Sequence, residues 1–186
     1  GFLQQLTAAP ASDSVFAGWS GDLPSGVNPN DTTIFVTMDQ NRNITATFNP
    51  ADFVLTVQLA GTASPVNMIP PPGQYGCTAG QQIQLKALPA DGSPAAFQAW
   101  SGSVVAGTFS TMVTMDGNKT VIANYSDDLG QSQQLVVNAP QGTGTGATDP
   151  LGPGTYRIAG GTLYFNAVPN PGSYFNGWQD DYAGFN

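Results

Sequence analysis

Apolar and polar residues alternate along several short stretches of the chain. At residues 34–39, 44–48 and 82–87 every second side chain is apolar, and the pattern recurs at Leu163 and Phe165. A period of two places one row of side chains in a core and the other in solvent, which is typical of a half-buried β-strand. No stretch has a sustained helical stripe of apolar residues, so the sequence predicts a mainly β fold with little helix.

Three blocks of sequence recur along the chain, and their spacing defines a unit of about 80 residues. A block that contains Thr-Met-Asp occurs twice without a gap, at Val36–Phe48 and Val113–Tyr125. A Pro-Gly-x-Tyr block occurs twice, ending at Tyr75 and Tyr156. A block that runs from a proline to a tryptophan occurs three times, ending at Trp19, Trp100 and Trp178. This self-similarity predicts tandem structural repeats.

The order of the blocks divides the chain into one complete repeat and two partial ones. Each unit opens with a strand, as at Val54 to Leu59 and Leu135 to Asn138, and closes with the Thr-Met-Asp hairpin. We therefore expect residues 51–129 to be a complete repeat, residues 1–50 to be the C-terminal part of a repeat, and residues 130–186 to be the N-terminal part of another.

The blocks resemble the divergent bacterial surface repeats related to the internalin B-repeat. In that family a Pro-Gly-x-Tyr segment, Leu-x-Ala-x-Pro, Phe-x-Gly-Trp-Ser-Gly-Asp and a Thr-Met-Asp-x-Asn-Lys hairpin follow one another. The resemblance covers essentially the whole chain. It implies tandem β-grasp-like or β-sandwich-like modules that act as stalks, spacers or adhesive surfaces and carry no catalytic residues.

The tryptophan segments differ in how fully they match this family pattern. The first keeps Trp-Ser-Gly-Asp and ends at Asp22, the second ends at Ser103 instead of an aspartate, and the third loses Ser-Gly after Trp178. These departures affect a loop. They therefore put loop-based binding in doubt, and they leave the fold expectation unchanged.

The composition argues against several classes of function. The chain has a net charge of −8 with four basic residues, whereas binding to nucleic-acid phosphates requires Lys and Arg. Histidine and glutamate are absent, so we expect no enzyme, no cofactor and no metal. No apolar run approaches the ~20 residues that a membrane span needs. Charged residues make up 9% of the chain, and this low charge favours an extracellular, cell-surface protein.

Each repeat needs large side chains at its centre, because a unit of about 80 residues has a thin core. We therefore expect the three tryptophans to be buried in equivalent positions. The alternative is that they form exposed platforms on which sugar rings stack. The expected structural core consists of Trp19, Trp100, Trp178, Phe16, Phe97, Phe175, Tyr75, Tyr156, Met38 and Met115.

Acidic residues offer two further candidate sites. Asp127-Asp128 and Asp180-Asp181 are adjacent pairs, and neighbouring side chains on a strand point to opposite faces, so they make poor acid–base dyads. The loop from Asp22 to Asp31 carries the oxygen ligands that calcium takes, although turn formation explains the same residues.

Cysteine and asparagine complete the list of candidates. Cys77 aligns with Ile158, so we expect it to be a buried apolar filler with an unreactive thiol. Four asparagines lie in glycosylation sequons and would matter in a host that glycosylates exported proteins: Asn30, Asn43, Asn118 and Asn124.

Three functions fit these observations. The first is a structural extracellular protein, a module of a stalk, fibre or filament whose partners are neighbouring copies or repeats of itself. The second is an adhesive module that binds a polysaccharide or a host protein. It requires clustered exposed aromatics, for which Phe109, Tyr174 and Tyr182 are the candidates. The third is a non-catalytic accessory region of a large secreted enzyme.

The partial repeats carry a further expectation. The first lacks an opening strand and a Pro-Gly-x-Tyr block, and the last lacks a Thr-Met-Asp hairpin. Both contain the proline-to-tryptophan block, so joining end to start does not form one clean unit. The sequence therefore fits a piece of a longer array whose neighbours, covalently linked or assembled head to tail, complete the terminal modules.

Overall fold

The computed structural model describes residues 1–62, 64–128, 132–159 and 163–178. Over these ranges the protein is all β, with fifteen strands and no helix, which confirms the fold class that the alternating pattern predicts. The same ranges accordingly hold no helix that is long and apolar enough to cross a membrane.

The strands form three consecutive groups. The first group is β1 (Phe2–Thr7), β2 (Ser14–Gly21), β3 (Thr33–Met38) and β4 (Ile44–Pro50). The second group is β5 (Phe53–Ala60), β6 (Val66–Ile69), β7 (Gly73–Cys77), β8 (Gln82–Pro89), β9 (Ala96–Gly102), β10 (Ser110–Thr114) and β11 (Lys119–Ser126). The third group is β12 (Gln133–Val137), β13 (Gly146–Asp149), β14 (Gly154–Ile158) and β15 (Asn166–Pro169).

The second group is a module of two sheets around one core, and we call it the central repeat. Four strands lie in the order β7-β5-β11-β9, and three lie in the order β10-β8-β6. Strands β5 and β11 run parallel and place Val57 beside Val121, whereas the other pairs of this module are antiparallel. Apolar side chains from both sheets fill the core, and the largest of them is Trp100, which is 1% exposed.

The first and third groups repeat strand pairings of the central repeat in the same register. Strands β1–β4 are the counterparts of β8–β11, and β12–β15 are the counterparts of β5–β8. We call β1, β8 and β15 β8-type strands, and we name the other types in the same way. Four paired positions illustrate this, each given with its counterpart in the central repeat: Leu6–Ile34 with Leu85–Thr111; Trp19–Ala46 with Trp100–Ala123; Leu135–Tyr156 with Leu55–Tyr75; Asp149–Asn166 with Ile69–Lys86.

Burial of the expected core residues depends on which strands surround them. Of the expected set, four are buried, and all but one belong to the central repeat: Trp100, Phe97, Met115 and Tyr156. Three are half-buried: Trp19, Phe16 and Tyr75.

The expectation of equal burial needs correction for three residues. Met38, Phe175 and Trp178 are exposed by 42%, 46% and 54%. The counterparts of these three side chains in the central repeat are Met115, Phe97 and Trp100, and all are buried there. In the central repeat, a four-stranded and a three-stranded sheet cover these counterparts. In the described part of the first and third groups, each sheet has only two strands and covers less of its core. Side chains at equivalent positions in the strand pairing therefore differ in burial, because fewer strands cover them in the first and third groups.

Candidate functional site

The Pro-Gly-x-Tyr block folds each tyrosine back onto its own strand. The Tyr75 hydroxyl donates to the carbonyl of Pro71 at 2.6 Å, and the Tyr156 hydroxyl donates to the carbonyl of Gly152 at 2.9 Å. A Cβ atom on Gly154 would lie 2.8 Å from the Tyr156 hydroxyl, which is too close for a real contact, so this glycine leaves room for the tyrosine side chain. Burial raises the pKa of both phenols. The block therefore has a structural role in both repeats.

The residue after Trp-Ser-Gly anchors the hairpin that precedes the last strand of each repeat. The Asp22 carboxylate accepts the backbone N–H of Asn43 at 2.9 Å. At the counterpart position the Ser103 hydroxyl accepts the backbone N–H of Thr120 at 3.1 Å. The replacement of aspartate by serine thus preserves the hydrogen bond, and this position stabilises the fold in both repeats.

A short ion pair closes each Thr-Met-Asp hairpin. The carboxylate of Asp39 lies 2.7 Å from the Arg42 guanidinium, and that of Asp116 lies 2.6 Å from the Lys119 ammonium. The hydrogen bond from Arg42 lowers the pKa of Asp39, and the hydrogen bond from Lys119 lowers the pKa of Asp116. Both aspartates thus stabilise a turn.

The acidic candidates for a cation site do not converge. Asp22 bonds Asn43, and the Asp31 carboxylate accepts the Asn28 amide at 2.8 Å. Across residues 1–62, 64–128, 132–159 and 163–178, no group of three acidic or cysteine side chains could hold a metal ion. The Asp127 carboxylate accepts the Thr62 hydroxyl at 2.6 Å. The Asp180-Asp181 pair lies outside the described residues.

Cys77 is 1% exposed and lies in the central core, and burial raises the pKa of its thiol.

Two of the sequon asparagines also have structural contacts. The Asn118 side-chain oxygen accepts the backbone N–H of Val54, and the Asn124 amide donates to the Ala99 carbonyl and the Ser101 hydroxyl. Attachment of a glycan at half-buried Asn124 would therefore disturb the fold. Asn30 and Asn43 are exposed.

The aromatic residues considered for adhesion differ in their exposure to solvent. Phe109 is 7% exposed and packs on Phe97 with ring centroids 5.5 Å apart, so its expected place on a binding face is wrong. Tyr174 is 84% exposed. Tyr182 lies outside the described residues. Trp178 contacts the ring of Phe175 at 5.1 Å, and this pair is the counterpart of the buried Phe97 and Trp100.

The most distinctive arrangement of polar groups lies where one repeat meets the next. At the first junction, strand β2 lies against strand β7. The backbone N–H of Ala51 donates to the carbonyl of Asp13 at 2.8 Å and extends the β2–β4 ladder. The backbone N–H of the next residue, Asp52, donates to the carbonyl of Cys77 at 3.0 Å and extends the β5–β7 ladder. A Cβ atom on Gly76 would clash with the carbonyl oxygen of Ser14, so the two repeats touch backbone to backbone.

The second junction uses the counterpart elements. Strand β14 lies against β8 and β9. The Asp91 carboxylate accepts the backbone N–H of Thr155 at 2.7 Å, and the backbone N–H of Gly92 donates to the Thr155 carbonyl at 2.8 Å. Lys86 and Asp149 form an ion pair at 3.6 Å across the same boundary.

Apolar contact accompanies these hydrogen bonds at the second junction. Leu151 and Tyr156 are 3% and 5% exposed, and both belong to the same buried cluster as the core of the central repeat. At both junctions, residues at or just before the start of the β9-type strand of one repeat contact the β7-type strand of the next: Ser14 at the first junction, and Asp91 and Gly92 at the second. Sequence reasoning missed this role. The available signal was the segment between Pro89 and Phe97, which is two residues longer than its counterpart between Pro10 and Phe16.

Comparison with known proteins agrees with the repeated strand pairings. The family model described as the divergent InlB B-repeat domain matches residues 1–52, 56–129 and 135–186. Neither the curated proteins nor the solved structures contain a significant match. Because the three matches cover most of the chain and coincide with the three groups of strands, the chain belongs to the divergent InlB B-repeat family.

Proposed function

We propose that this chain is a non-catalytic structural part of an extracellular surface protein, in which the repeats form a stalk or fibre. The observation that carries the proposal is the recurrence of the junction. In both cases, residues at or just before the start of the β9-type strand of one repeat contact the β7-type strand of the next. A junction that recurs in this way can continue through any number of repeats, which is how a tandem array keeps a regular spacing.

The side chains that could support catalysis have other tasks. The chain has no histidine and no glutamate. Asp22, Asp39, Asp91 and Asp116 each stabilise a turn, a hairpin or a junction. A general base works best with a pKa near the operating pH, whereas the pKa of Asp39 and that of Asp116 are lowered by the hydrogen bonds from Arg42 and Lys119. These contacts favour a structural role over hydrolysis.

An adhesive function has less support. It needs aromatic side chains that remain exposed in a complete repeat. The counterparts of Phe175 and Trp178 are buried in the central repeat. The exposed pair is therefore better explained as core residues that too few strands cover than as a platform for sugar rings. A place as an accessory region of a large secreted enzyme is compatible with the same module and depends on a catalytic domain elsewhere in the gene.

Small-angle X-ray scattering of the monomeric chain tests the proposal. Three repeats joined through recurring junctions should scatter as one extended body with a single maximum dimension at every salt concentration. Binding to an array of polysaccharides should be absent. A scattering curve of three freely moving modules, or saturable binding of one glycan class, would contradict the structural role.

A further inference from the structure

Three of the four basic residues in the chain form ion pairs with aspartates: Arg42, Lys86 and Lys119. The fourth is Arg157 on β14, which is half-buried. Within the described part of the chain, its guanidinium forms neither an ion pair nor a hydrogen bond. A guanidinium stays charged at neutral pH and offers five N–H donors, so Arg157 is available to bind an anion.

Arg157 lines a cavity of about 190 Å³ at the second junction. One side of the cavity is the loop of the central repeat at residues 92–94, and the other side is formed by β12 and β14. Gln134 also lines the cavity and lies opposite Arg157 in the β12–β14 ladder. Both side chains point away from the core, because neighbouring residues on a strand face opposite sides and Tyr156 is buried in the core. Two successive repeats therefore build this cavity together.

The cavity offers further hydrogen-bond donors, and none of the described residues that line it is acidic. The other donors are the amide of Gln134 and the hydroxyls of Ser93 and Thr155. Ser93 is 5% exposed, and its Oγ accepts the backbone N–H of Ala95 at 3.2 Å, so the hydroxyl can still donate. Asp91 precedes the loop segment, and its carboxylate is held by the Thr155 N–H at 2.7 Å. The lining therefore favours a ligand that accepts hydrogen bonds and carries a negative charge.

Two features of the cavity distinguish the second junction from the first. The counterpart of Arg157 at the first junction is Gly76, and the carbonyl oxygen of Ser14 lies directly against that glycine. The loop that forms one side of the cavity is two residues longer than its counterpart in the first repeat. The arginine and the longer loop thus occur together, as expected if both contribute to one binding site.

We propose that this cavity binds a small carboxylate anion through the Arg157 guanidinium and the Gln134 amide. A planar carboxylate matches the guanidinium fork with two parallel hydrogen bonds. The volume is several times what one water molecule needs, so an anion of the size of acetate fits. Because both repeats build the cavity, the bound anion stabilises the closed junction. The inference goes beyond the proposed function, since a stalk needs no ligand.

Titration with sodium acetate, followed by nuclear magnetic resonance at constant ionic strength, tests the site. Acetate should shift the backbone amide signals of Gly92, Thr155 and Arg157 in a saturable way. Arg157→Gln should weaken binding at least about tenfold, as expected for hydrogen bonds between charged groups. Lys119→Gln makes the same change in net charge outside the cavity lining and should leave the affinity unchanged. Shifts that do not saturate, or equal weakening by both substitutions, would overturn the proposal.

Three further measurements define the ligand and the role of the junction. Arg157→Lys keeps the charge without the fork and should recover only part of the affinity, and Gln134→Ala should weaken binding between about twofold and tenfold. Amide signals of the central core report whether each variant is folded. Methanesulfonate carries the same single charge on a tetrahedral group and should bind more weakly than acetate, whereas tighter binding would overturn the carboxylate assignment.

Saturating acetate should also slow hydrogen exchange at the Thr155 amide, because the open junction lacks the complete site. Unchanged exchange at that amide would contradict a site shared by two repeats. A chain that binds no acetate refutes this inference and leaves the proposed function intact, because that function is tested separately, through scattering and through distances between repeats.

Discussion

The carboxylate of Asp91 accepts the backbone N–H of Thr155 at 2.7 Å across the boundary between the central repeat and the repeat that follows it. Gly92 donates to the carbonyl of the same Thr155 at 2.8 Å, so the loop of one repeat pairs with a strand of the next as a short ladder would. This junction explains how modules with thin cores can share stability with their neighbours in a tandem array.

Asp91→Ala should loosen the second junction and leave the first one intact. The substitution removes the acceptor for the Thr155 N–H, and that amide should exchange at least about fivefold faster if the bond contributes ~1 kcal/mol. Asp13→Ala is the matched control, because Asp13 directly precedes β2 beside the first junction and its carboxylate accepts the hydroxyl of its neighbour Ser14. Unchanged exchange at Thr155 in the Asp91 variant would show that the junction does not depend on this carboxylate.

Trp100 and Trp178 should differ in their effect on stability. Trp100→Ala should lower the free energy of unfolding of the central repeat by about 3–5 kcal/mol, because it empties a buried site. Trp178→Ala should cost less than about 1 kcal/mol in the monomer, because that indole is 54% exposed. Urea unfolding followed by fluorescence of the remaining tryptophans measures both. Equal losses would mean that Trp178 is covered in solution.

Asp22 should tolerate serine better than alanine. Serine retains an acceptor for the Asn43 N–H, as Ser103 does for Thr120, whereas alanine removes it. We expect Asp22→Ala to lower the free energy of unfolding by about 1 kcal/mol and Asp22→Ser to lower it by less. Thermal unfolding of the two variants provides the comparison, and the opposite ranking would argue for a role of the Asp22 charge.

The hairpin ion pair predicts a defined pH dependence. The pKa of Asp116 is lowered below its ordinary value of 3.8 by the hydrogen bond from Lys119. A lowered pKa in the folded state stabilises the protein above the unfolded-state pKa, and this contribution disappears as the pH falls through the folded-state value. The stability of the wild-type chain relative to Lys119→Gln should therefore be constant above pH 3.8 and should decline below it. A difference that instead grows in acid would contradict this assignment.

The repeat pattern and the β class could be predicted from the sequence because both depend on local periodicity. Cys77 could be placed in the core because it aligns with an apolar residue, Ile158. The parallel pairing of β5 with β11 could not be predicted, because these strands lie far apart in the chain and no local pattern encodes their contact.

Burial and junction contacts were harder to predict for the same reason. Trp178 matches Trp100 in sequence, but burial depends on which strands cover the site, and that is a property of the assembled sheets. The alternation at Leu163 and Phe165 suggested a strand, whereas β15 begins at Asn166. The contact of Asp91 carried no local sequence signal, because its hydrogen-bond partner belongs to the next repeat.

The central claim is that successive repeats keep a fixed relation to each other. Pulsed electron resonance between spin labels measures this most directly, in a Cys77→Ala background with one label on Gln84 and the other on Gln5 or Ala147. A pair on Gln84 and Val105, both inside the central repeat, provides the control width. Fixed junctions predict one narrow distance for each pair, as narrow as the control. Broad distributions across both junctions, beside a narrow control, would contradict the account.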